Sequence, residues 1–278
     1  MTEPVSNAAL AAPPQRTPVP LRLSVVMPVY NEERTVEHSI RRVRSLSLPI
    51  ELVVVDDAST DGTAAVLQRL HAEGTIEVLL RQTPNRGKGA AVARGIREST
   101  GDVIVVQDAD LEYDPRELPR LLEPILDGRA DAVFGSRFLG GPQRVLYFWH
   151  RVGNGLLTLF SNMLTNINLS DMETCYKMVR ADLMKSLPLR SARFGIEPEL
   201  TALLARAGAR IYEVPISYSG RTYAEGKKIG WRDGIAAFWH IARATLFAPA
   251  MPRYQPPPMI TDADGYPTRA AGSPPLEG

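Results

Sequence analysis

The stretch DVIVVQDADLEYDP, residues 102–115, joins a run of apolar residues directly to a row of acids. The run from Val103 to Val106 is continuous and β-branched, which is typical of a strand buried on both faces. The acids that follow are Asp108, Asp110, Glu112 and Asp114. A buried strand that ends in mutually repelling carboxylates indicates a parallel sheet with a cation site at its edge.

Further runs of the same kind lie on both sides of this one, at 23–29, 50–56, 76–80 and 131–136. Segments with helical spacing of apolar residues separate them, and Asn31 is expected to cap the first helix. The alternation predicts an α/β fold with a mostly parallel, Rossmann-like central sheet covered by helices on both faces. After Ser136 the pattern predicts a long helix over 145–165, a helix over 197–206 and a strand within 209–219.

In a sheet of this kind ligands bind at the carboxyl ends of the strands. Polar residues follow nearly every predicted strand: Tyr30, Asn31 and Glu32, then Asp56, Asp57 and Ser59, the loop NRGKGA with Lys88, the acid row, and Arg137 in SRF. These residues form the candidate site, and the second half of the chain is expected to add a second substrate site.

Composition limits the class of protein. The chain has 278 residues, 44% of them hydrophobic, a formal net charge of +1 and one cysteine, Cys175. Near-zero charge argues against a nucleic-acid partner, and a single cysteine excludes an intrachain disulfide framework and fits a reducing cytoplasm. Without a run of 18 apolar residues we expect no transmembrane helix. We expect a disordered leader over 1–20, one domain over 21–250 and a disordered Pro-rich tail over 251–278.

The acid row suits a divalent cation. If the backbone stays extended past Val106, the side chains of Asp108, Asp110 and Glu112 point to one side. Mg²⁺ and Mn²⁺ prefer oxygen ligands and leave positions for water and phosphate, so a diphosphate could dock through the metal. The alternative is a solvated acidic turn, and for Asp114, followed by Pro115, we favour the start of the next helix.

Two other strand ends suit a nucleotide. Asp57 could accept hydrogen bonds from a ribose or a base edge, although part of the DDAST stretch could equally cap the following helix. Lys88, between two glycines, could approach a phosphate. The loop is neither a P-loop nor GxGxxG, and the missing glycine motif after the first strand counts against a dinucleotide oxidoreductase.

Five motifs in order, VVMPVYNEE, VVVDDASTDGT, NRGKGAA, DADLEYDP and GSRF, resemble an inverting family 2 glycosyltransferase of the GT-A fold. The most similar subgroup is dolichol-phosphate mannosyltransferase-like, the polyprenyl-phosphate sugar synthases, and the resemblance spans about residues 22–245. It implies a nucleotide-sugar half over 21–137 and an acceptor half over 138–250. It places around the nucleotide sugar Pro28, Tyr30, Glu32, Asp57, Lys88 and Asp108. It assigns Mg²⁺ or Mn²⁺ to Asp108, Asp110 and Glu112, the last standing where the nearest relatives often carry Gln.

The acceptor decides which further residues act. A polyprenyl phosphate oxygen is already anionic and needs cations rather than a base, and the resemblance assigns this phosphate to Arg151, Arg221, Lys227 and Lys228. A hydroxyl acceptor, on a glycolipid, polysaccharide or small molecule, needs a base. Asp171 and Glu173 of DMET are the candidates for that base, and Arg137 is a further catalytic candidate. A nucleotide-binding protein without transfer activity is a third possibility, against which the intact acids argue.

Two predicted helices in the acceptor half are amphipathic. Aromatic residues such as Phe148 and Trp239 alternate there with basic ones, a pattern that suits a bilayer interface but also packing on the domain's own sheet. The expected partners are therefore a nucleotide sugar, a polyprenyl-phosphate lipid and, for a cytoplasmic protein, the cytoplasmic face of the membrane. The sugar, the base and the oligomeric state stay open.

Overall fold

The computed structural model describes residues 21–145, 147–221, 231–247, 251–256, 260–261 and 267–268. The leader over 1–20, most of the tail, and the lysines Lys227 and Lys228 lie outside the described residues. The predictions made for these segments therefore stay predictions.

Seven strands form the central sheet: β1 (Leu23–Val29), β2 (Ile50–Asp56), β3 (Val78–Arg81), β4 (Val103–Val106), β5 (Ala132–Ser136), β6 (Lys177–Arg180) and β7 (Ile211–Pro215). Their order is β3-β2-β1-β4-β6-β5-β7. Every neighbouring pair is parallel except those of β6, which runs antiparallel between β4 and β5. The predicted mostly parallel α/β sheet is confirmed.

The helices are α1 (Val36–Arg44), α2 (Thr63–Ala72), α3 (Lys88–Glu98), α4 (Leu118–Leu126), α5 (Phe148–Thr165), α6 (Ala181–Ser186), α7 (Ile196–Arg206) and α8 (Trp231–Leu246). A 3₁₀ turn, Pro115–Glu117, precedes α4, and the short strands β8 (Ile260–Thr261) and β9 (Pro267–Thr268) pair antiparallel. The first three helices are the crossovers between β1, β2, β3 and β4, as βαβ topology requires.

The sheet is covered on both faces. Every residue of β2, β4 and β5 is buried, whichever side of the sheet it points to. Alternate residues of a strand face opposite sides, so helices must cover both. This arrangement explains why these strands read in the sequence as uninterrupted apolar runs.

Strand β6 escapes sequence analysis because its four residues, KMVR, carry a charge at each end. Both charges are buried in the fold. The Lys177 ammonium donates to the carbonyl oxygens of Met172 and Thr174, each at 2.7 Å, and burial lowers the pKa of this amine. Because β6 runs against its neighbours, the loop that precedes it reaches the edge at which β4 and β5 end.

Two expectations about local structure have different outcomes. Asn31 does not cap α1: it adopts φ 53° and its Oδ1 accepts a hydrogen bond from the Thr60 amide at 2.8 Å. The segment after the first strand is thus fastened to the one after the second. Asp114 does start the next helical segment, since its Oδ1 accepts a hydrogen bond from the Arg116 amide at 3.0 Å.

Candidate active site

A cavity of about 1470 Å³ lies at the carboxyl ends of β1, β2, β4 and β5. The predicted site residues that line it are Pro28, Tyr30, Glu32, Asp57, Lys88, Asp108, Asp110, Glu112, Arg137, Arg151, Glu173 and Arg221. Asp171 is fully buried behind this lining. The topology has therefore brought almost the whole predicted set to one edge of the sheet.

Asp57 organises the loop that leads into α3. Its Oδ1 accepts hydrogen bonds from the amide of Arg86 at 2.7 Å and from the Gln82 side chain at 2.8 Å. Its Oδ2 accepts from the Gly87 amide at 2.7 Å. The Asp57 carboxylate, predicted to contact a ribose or a base, thus accepts hydrogen bonds that fix the loop beside the cavity.

The glycines of NRGKGA make room for another piece of backbone. Gly87 has φ 94°, a conformation that favours glycine. A Cβ on Gly89 would lie 2.1 Å from the carbonyl oxygen of Ser191, and the Ala90 amide donates to the Ala192 carbonyl at 3.0 Å. The two halves of the chain therefore pack here backbone against backbone, which the sequence suggested only as room for a ligand.

Lys88 bridges the two halves through its ammonium group. The Nζ atom lies 2.8 Å from an Asp108 carboxylate oxygen and 2.8 Å from Oε1 of Glu197. Burial acts to lower the pKa of Lys88, but the charges of Asp108 and Glu197 outweigh it and hold that pKa well above its usual value. Sequence analysis missed Glu197, and the only available signal was an acid within the first turn of a buried helix.

Acids that follow β1 and β4 surround Arg221. Arg221 Nη2 lies 3.0 Å from Oδ2 of Asp110, Nη1 lies 3.4 Å from Oε2 of Glu32, and the Arg221 amide donates to Oε1 of Glu112 at 2.8 Å. Burial, followed by the charges of Asp108 and Glu112, raises the pKa of Asp110 to about 7. This cluster carries more carboxylates than its cations neutralise.

The acid row does not stay extended, contrary to expectation. Leu111 has φ 65°, and the Glu112 amide donates to Oδ1 of Asp110 at 3.1 Å, so the chain turns tightly after Asp108. Glu112 is engaged at both oxygens, because its Oε2 also accepts from the Tyr218 hydroxyl at 2.7 Å. The carboxylates nevertheless reach one cavity.

The donor set suits a hard divalent cation held in part by a ligand. Within the described ranges, no three His, Cys, Asp or Glu side chains are arranged to hold a metal alone. Mg²⁺ commonly binds through one or two carboxylates together with water and substrate phosphate. Asp108 and Asp110 supply two such carboxylates on the cavity wall, and their mutual repulsion, visible in the raised pKa of Asp110, is what a cation would offset.

Asp171 holds Arg137 instead of facing the cavity. Oδ2 lies 2.7 Å from Arg137 Nε and Oδ1 lies 2.7 Å from Nη2, a bidentate pair. Burial acts to raise the pKa of Asp171, but the charge and hydrogen bonds of Arg137 lower it below the usual value. A carboxylate so engaged is a poor base, and its evident effect is to aim a guanidinium at the cavity.

Glu173, two residues on, is in the opposite situation. Its Oε1 is buried and has no hydrogen-bond partner among the described residues. Burial, followed by the negative charge of Glu197, raises the pKa of Glu173 to about 7. This carboxyl lines the cavity and can take up or release a proton near neutral pH.

Apolar side chains of two helices also contribute to the cavity lining. The exposed ones of α5 and α8, here called the apolar face, are Phe148, Trp149, Leu156, Leu159, Met163, Phe238, Trp239 and Leu246. On each helix they fall within an arc of roughly 100°, that is, in a single stripe. Three of them, Phe148, Trp149 and Phe238, also line the cavity. No helix in the described part of the chain has the length and hydropathy that crossing a membrane requires.

The sheet order and the acids at the end of β4 define an α/β fold of the GT-A type. Residues 24–187 match glycosyl transferase family 2. The chain belongs to this family and is a glycosyltransferase, as the resemblance predicted.

Two relatives illustrate the likeness in sequence. Undecaprenyl-phosphate mannosyltransferase of Micrococcus luteus is 33% identical over 243 residues, covering 81% of this chain and 99% of the relative. Dolichol-phosphate mannosyltransferase of Pyrococcus furiosus is 31% identical over 215 residues, covering 76% of this chain and 60% of that longer protein.

A solved structure shares the fold. Glucosyl-3-phosphoglycerate synthase of Mycobacterium tuberculosis, in complex with Mn²⁺, UDP and glucosyl-3-phosphoglycerate, superposes with a TM-score of 0.62 at 22% identity. The match covers 90% of this chain and 87% of that one. At this identity the likeness shows the fold alone.

Proposed function

We propose that this glycosyltransferase moves a hexose from a nucleotide sugar, GDP-mannose or UDP-glucose, to a polyprenyl phosphate, with inversion at the anomeric carbon. The observation that carries the proposal is one cavity lined both by the paired carboxylates of Asp108 and Asp110 and by three aromatic side chains of the apolar face. A phosphorylated lipid needs both environments. The names of the two mannosyltransferase relatives support this acceptor class.

The donor end holds the diphosphate. Asp108 and Asp110 are the proposed ligands of Mg²⁺ or Mn²⁺, and such a cation, when bound, stabilises the departing nucleoside diphosphate. Lys88 adds a fixed positive charge beside Asp108. Pro28 and Tyr30 form the cavity wall proposed for the nucleoside, and Asp57 acts on it through the loop that it fixes.

The acceptor end needs cations and no base. Arg137, aimed by Asp171, and Arg151, whose guanidinium carbon lies 4.6 Å from the centre of the Phe138 ring, line the cavity. We assign both to the acceptor phosphate. Its anionic oxygen bonds to the anomeric carbon as the bond from that carbon to the diphosphate oxygen breaks, and the electron pair leaves with the nucleoside diphosphate.

The lipid acceptor implies a membrane surface. Amphipathic helices with aromatic residues and a basic flank bind the interfacial region of a bilayer without crossing it. We propose that the apolar face lies on such a surface, so that the cavity opens towards the lipid phosphate. Peripheral attachment at the cytoplasmic membrane face is part of this proposal.

A hydroxyl acceptor is the second candidate, and Glu173 is the observation that favours it. A buried carboxyl with its pKa near 7 is the kind of base that deprotonation of a hydroxyl requires. With Asp171 committed to Arg137, this role falls to Glu173 alone. Glu173→Gln separates the two candidates, because a hydroxyl acceptor predicts near-complete loss of turnover and a phosphate acceptor only partial loss.

The decisive experiment incubates the purified protein with polyprenyl phosphate and labelled GDP-mannose or UDP-glucose, with and without Mg²⁺ or Mn²⁺. We expect label in the organic phase with one donor, only with metal, and none with Asp110→Asn. Label confined to water-soluble products would overturn the polyprenyl phosphate assignment. Transfer that survives thorough chelation would overturn the metal.

A further inference from the structure

Arg221 sits at the position where a cation on Asp110 would be expected. Its guanidinium contacts Oδ2 of Asp110 at 3.0 Å and Oε2 of Glu32 at 3.4 Å, and Nε lies 3.5 Å from Oε1 of Glu112. Arg221 comes from the segment after β7, more than one hundred residues from Asp110. The sequence resemblance assigned Arg221 to the acceptor phosphate and did not predict these contacts.

Glu112 positions the segment that carries this guanidinium. Its main-chain oxygen accepts from the Ser219 amide at 2.9 Å, its Oε2 from the Tyr218 hydroxyl at 2.7 Å and its Oε1 from the Arg221 amide at 2.8 Å. Three successive anchors fix the segment 218–221 against the acid row. Arg221 is therefore held there by its backbone as well as by its charge.

Both oxygens of Asp110 are already engaged. Oδ2 accepts from Arg221 and Oδ1 accepts from the Glu112 amide. A divalent cation on Asp110 would share an oxygen with the guanidinium and lie a few ångströms from it, and in a half-buried site such like charges repel strongly. The two cations would therefore draw on the same carboxylate oxygens of Asp110.

We propose that Arg221 and the divalent cation compete for Asp110, so that metal binding displaces the Arg221 guanidinium from the acid row. This inference rests on the proposed metal use at Asp108 and Asp110. It makes Arg221 a positioning residue of the metal site, which keeps the carboxylates paired and sets the apparent affinity for the cation.

The test measures Mn²⁺ affinity directly, from the electron paramagnetic resonance signal of free Mn²⁺, in the full-length protein without donor. If Arg221 is docked about nine-tenths of the time, its removal tightens Mn²⁺ binding by about tenfold. We expect that gain in Arg221→Gln. The matched control is Arg151→Gln, which removes the same charge from the same cavity but from a guanidinium over the Phe138 ring, and should change affinity by less than about threefold.

A second measurement needs no variant. Phenylglyoxal modifies accessible guanidinium groups, and peptide mapping by mass spectrometry follows the group of Arg221 alone. We expect Mn²⁺ to increase modification at Arg221 in the wild-type protein. This readout keeps the inference testable even if Arg221→Gln does not fold.

The outcomes separate the inference from the function on which it rests. Equal Mn²⁺ affinities in the two variants, or unchanged modification of Arg221, would overturn the competition and leave the metal site intact. No Mn²⁺ binding in any variant, with or without UDP, would overturn the competition and the proposed metal together. A tenfold gain in Mn²⁺ affinity confined to Arg221→Gln, together with increased modification of Arg221 by phenylglyoxal when Mn²⁺ is added to the wild-type protein, supports the competition.

Discussion

At the scale of single residues, Asp171 and Glu173 show how environment decides the chemistry of similar groups. Asp171 is fully buried yet keeps a lowered pKa, because burial is outweighed by the bidentate guanidinium of Arg137. Among the described residues, Oε1 of Glu173 is buried without a hydrogen-bond partner, and burial together with the nearby charge of Glu197 raises the pKa of Glu173 to about 7. One is a fixed anion that aims a cation, and the other is a group able to exchange a proton.

The raised pKa of Glu173 predicts a pH-dependent cost in stability. The group has pKa 4.5 when unfolded and about 7 when folded, so between these values the unfolded chain has released a proton that the folded protein keeps. The contribution of Glu173 to the free energy of unfolding therefore falls as the pH rises from 4.5 to 7, by roughly 3 kcal/mol, and not further above. Glu173→Gln should remove this loss, as measured by urea unfolding across that range.

The control for this prediction is Glu98→Gln, which removes a carboxylate from the exposed end of α3. Its unfolding free energy should run parallel to that of the wild-type protein at every pH. If the unfolding free energies of the wild-type protein and of Glu173→Gln also change in parallel with pH, Glu173 ionises normally in the folded protein.

Asp171→Asn tests whether Asp171 is a positioning residue. Removing one partner of a buried ion pair leaves an uncompensated charge, which costs about 3 kcal/mol. We expect that loss in urea unfolding, together with a lowered kcat and little change in KM for the nucleotide sugar. The control is Asp127→Asn, which breaks an exposed pair with Arg129 and should cost well under 1 kcal/mol. Loss of nearly all turnover at unchanged stability would instead point to a direct catalytic role.

At the scale of elements, the strands that could be predicted from the sequence are those buried along nearly their whole length. The bounds of β1 and β2 follow from the sequence because every residue of these strands except Pro28 is buried in a helix-covered core. Strand β6 could not be found, since its terminal Lys177 and Arg180 donate hydrogen bonds to main-chain oxygens that only the folded chain brings within reach. Its antiparallel direction is equally a matter of long-range packing.

The start of α3 offers a test of packing between elements. Gly89→Ala would place Cβ 2.1 Å from the Ser191 carbonyl oxygen, and backbone on both sides leaves little room to move. We expect a loss of about 3 kcal/mol in unfolding free energy, the upper end of overpacking costs. The matched control is Gly155→Ala within α5, where a Cβ would meet no atom of the described residues within 4 Å. This control should stabilise the protein by about 0.5–1 kcal/mol, as alanine does in a helix.

If Gly89→Ala is as stable as the control, the backbone of 191–193 can yield, and the two halves are not locked together at this contact. Activity then becomes informative, because Lys88 lies next to Gly89 and depends on Glu197 in the other half. A stable Gly89→Ala with a raised KM for the donor would place the effect at Lys88 rather than in the packing.

At the scale of the whole molecule, parallel topology made the site predictable. Residues that follow parallel strands must meet at one edge, and eight of the twelve predicted residues that line the cavity come after the parallel strands β1 to β5. The pairings within that set could not be predicted. Three ion pairs join positions far apart in the chain: Lys88 with Glu197, Arg221 with Asp110, and Arg137 with Asp171. No local sequence pattern encodes which carboxylate pairs with which cation.

The apolar face gives the prediction that belongs to the molecule as a whole. Leu159 and Trp239 lie on this face, 55% and 61% exposed, and neither lines the cavity. Leu159→Gln combined with Trp239→Gln keeps good helix formers but removes two apolar groups, each contributing about 1–2 kcal/mol to partitioning into a bilayer interface. Together the two groups contribute about 2–4 kcal/mol, so we expect the double variant to bind phosphatidylglycerol vesicles about thirtyfold to several hundredfold more weakly, as measured by co-sedimentation.

The control and a second readout separate membrane contact from catalysis. Tyr212→Ser removes an exposed aromatic ring from β7, outside the apolar face, and should leave vesicle binding unchanged. With a water-soluble short-chain polyprenyl phosphate the double variant should turn over at the wild-type rate, because the cavity is untouched. Equal vesicle binding by the double variant and the wild type would mean that α5 and α8 do not meet the bilayer. The lipid phosphate would then have to reach Arg137 and Arg151 by leaving the membrane.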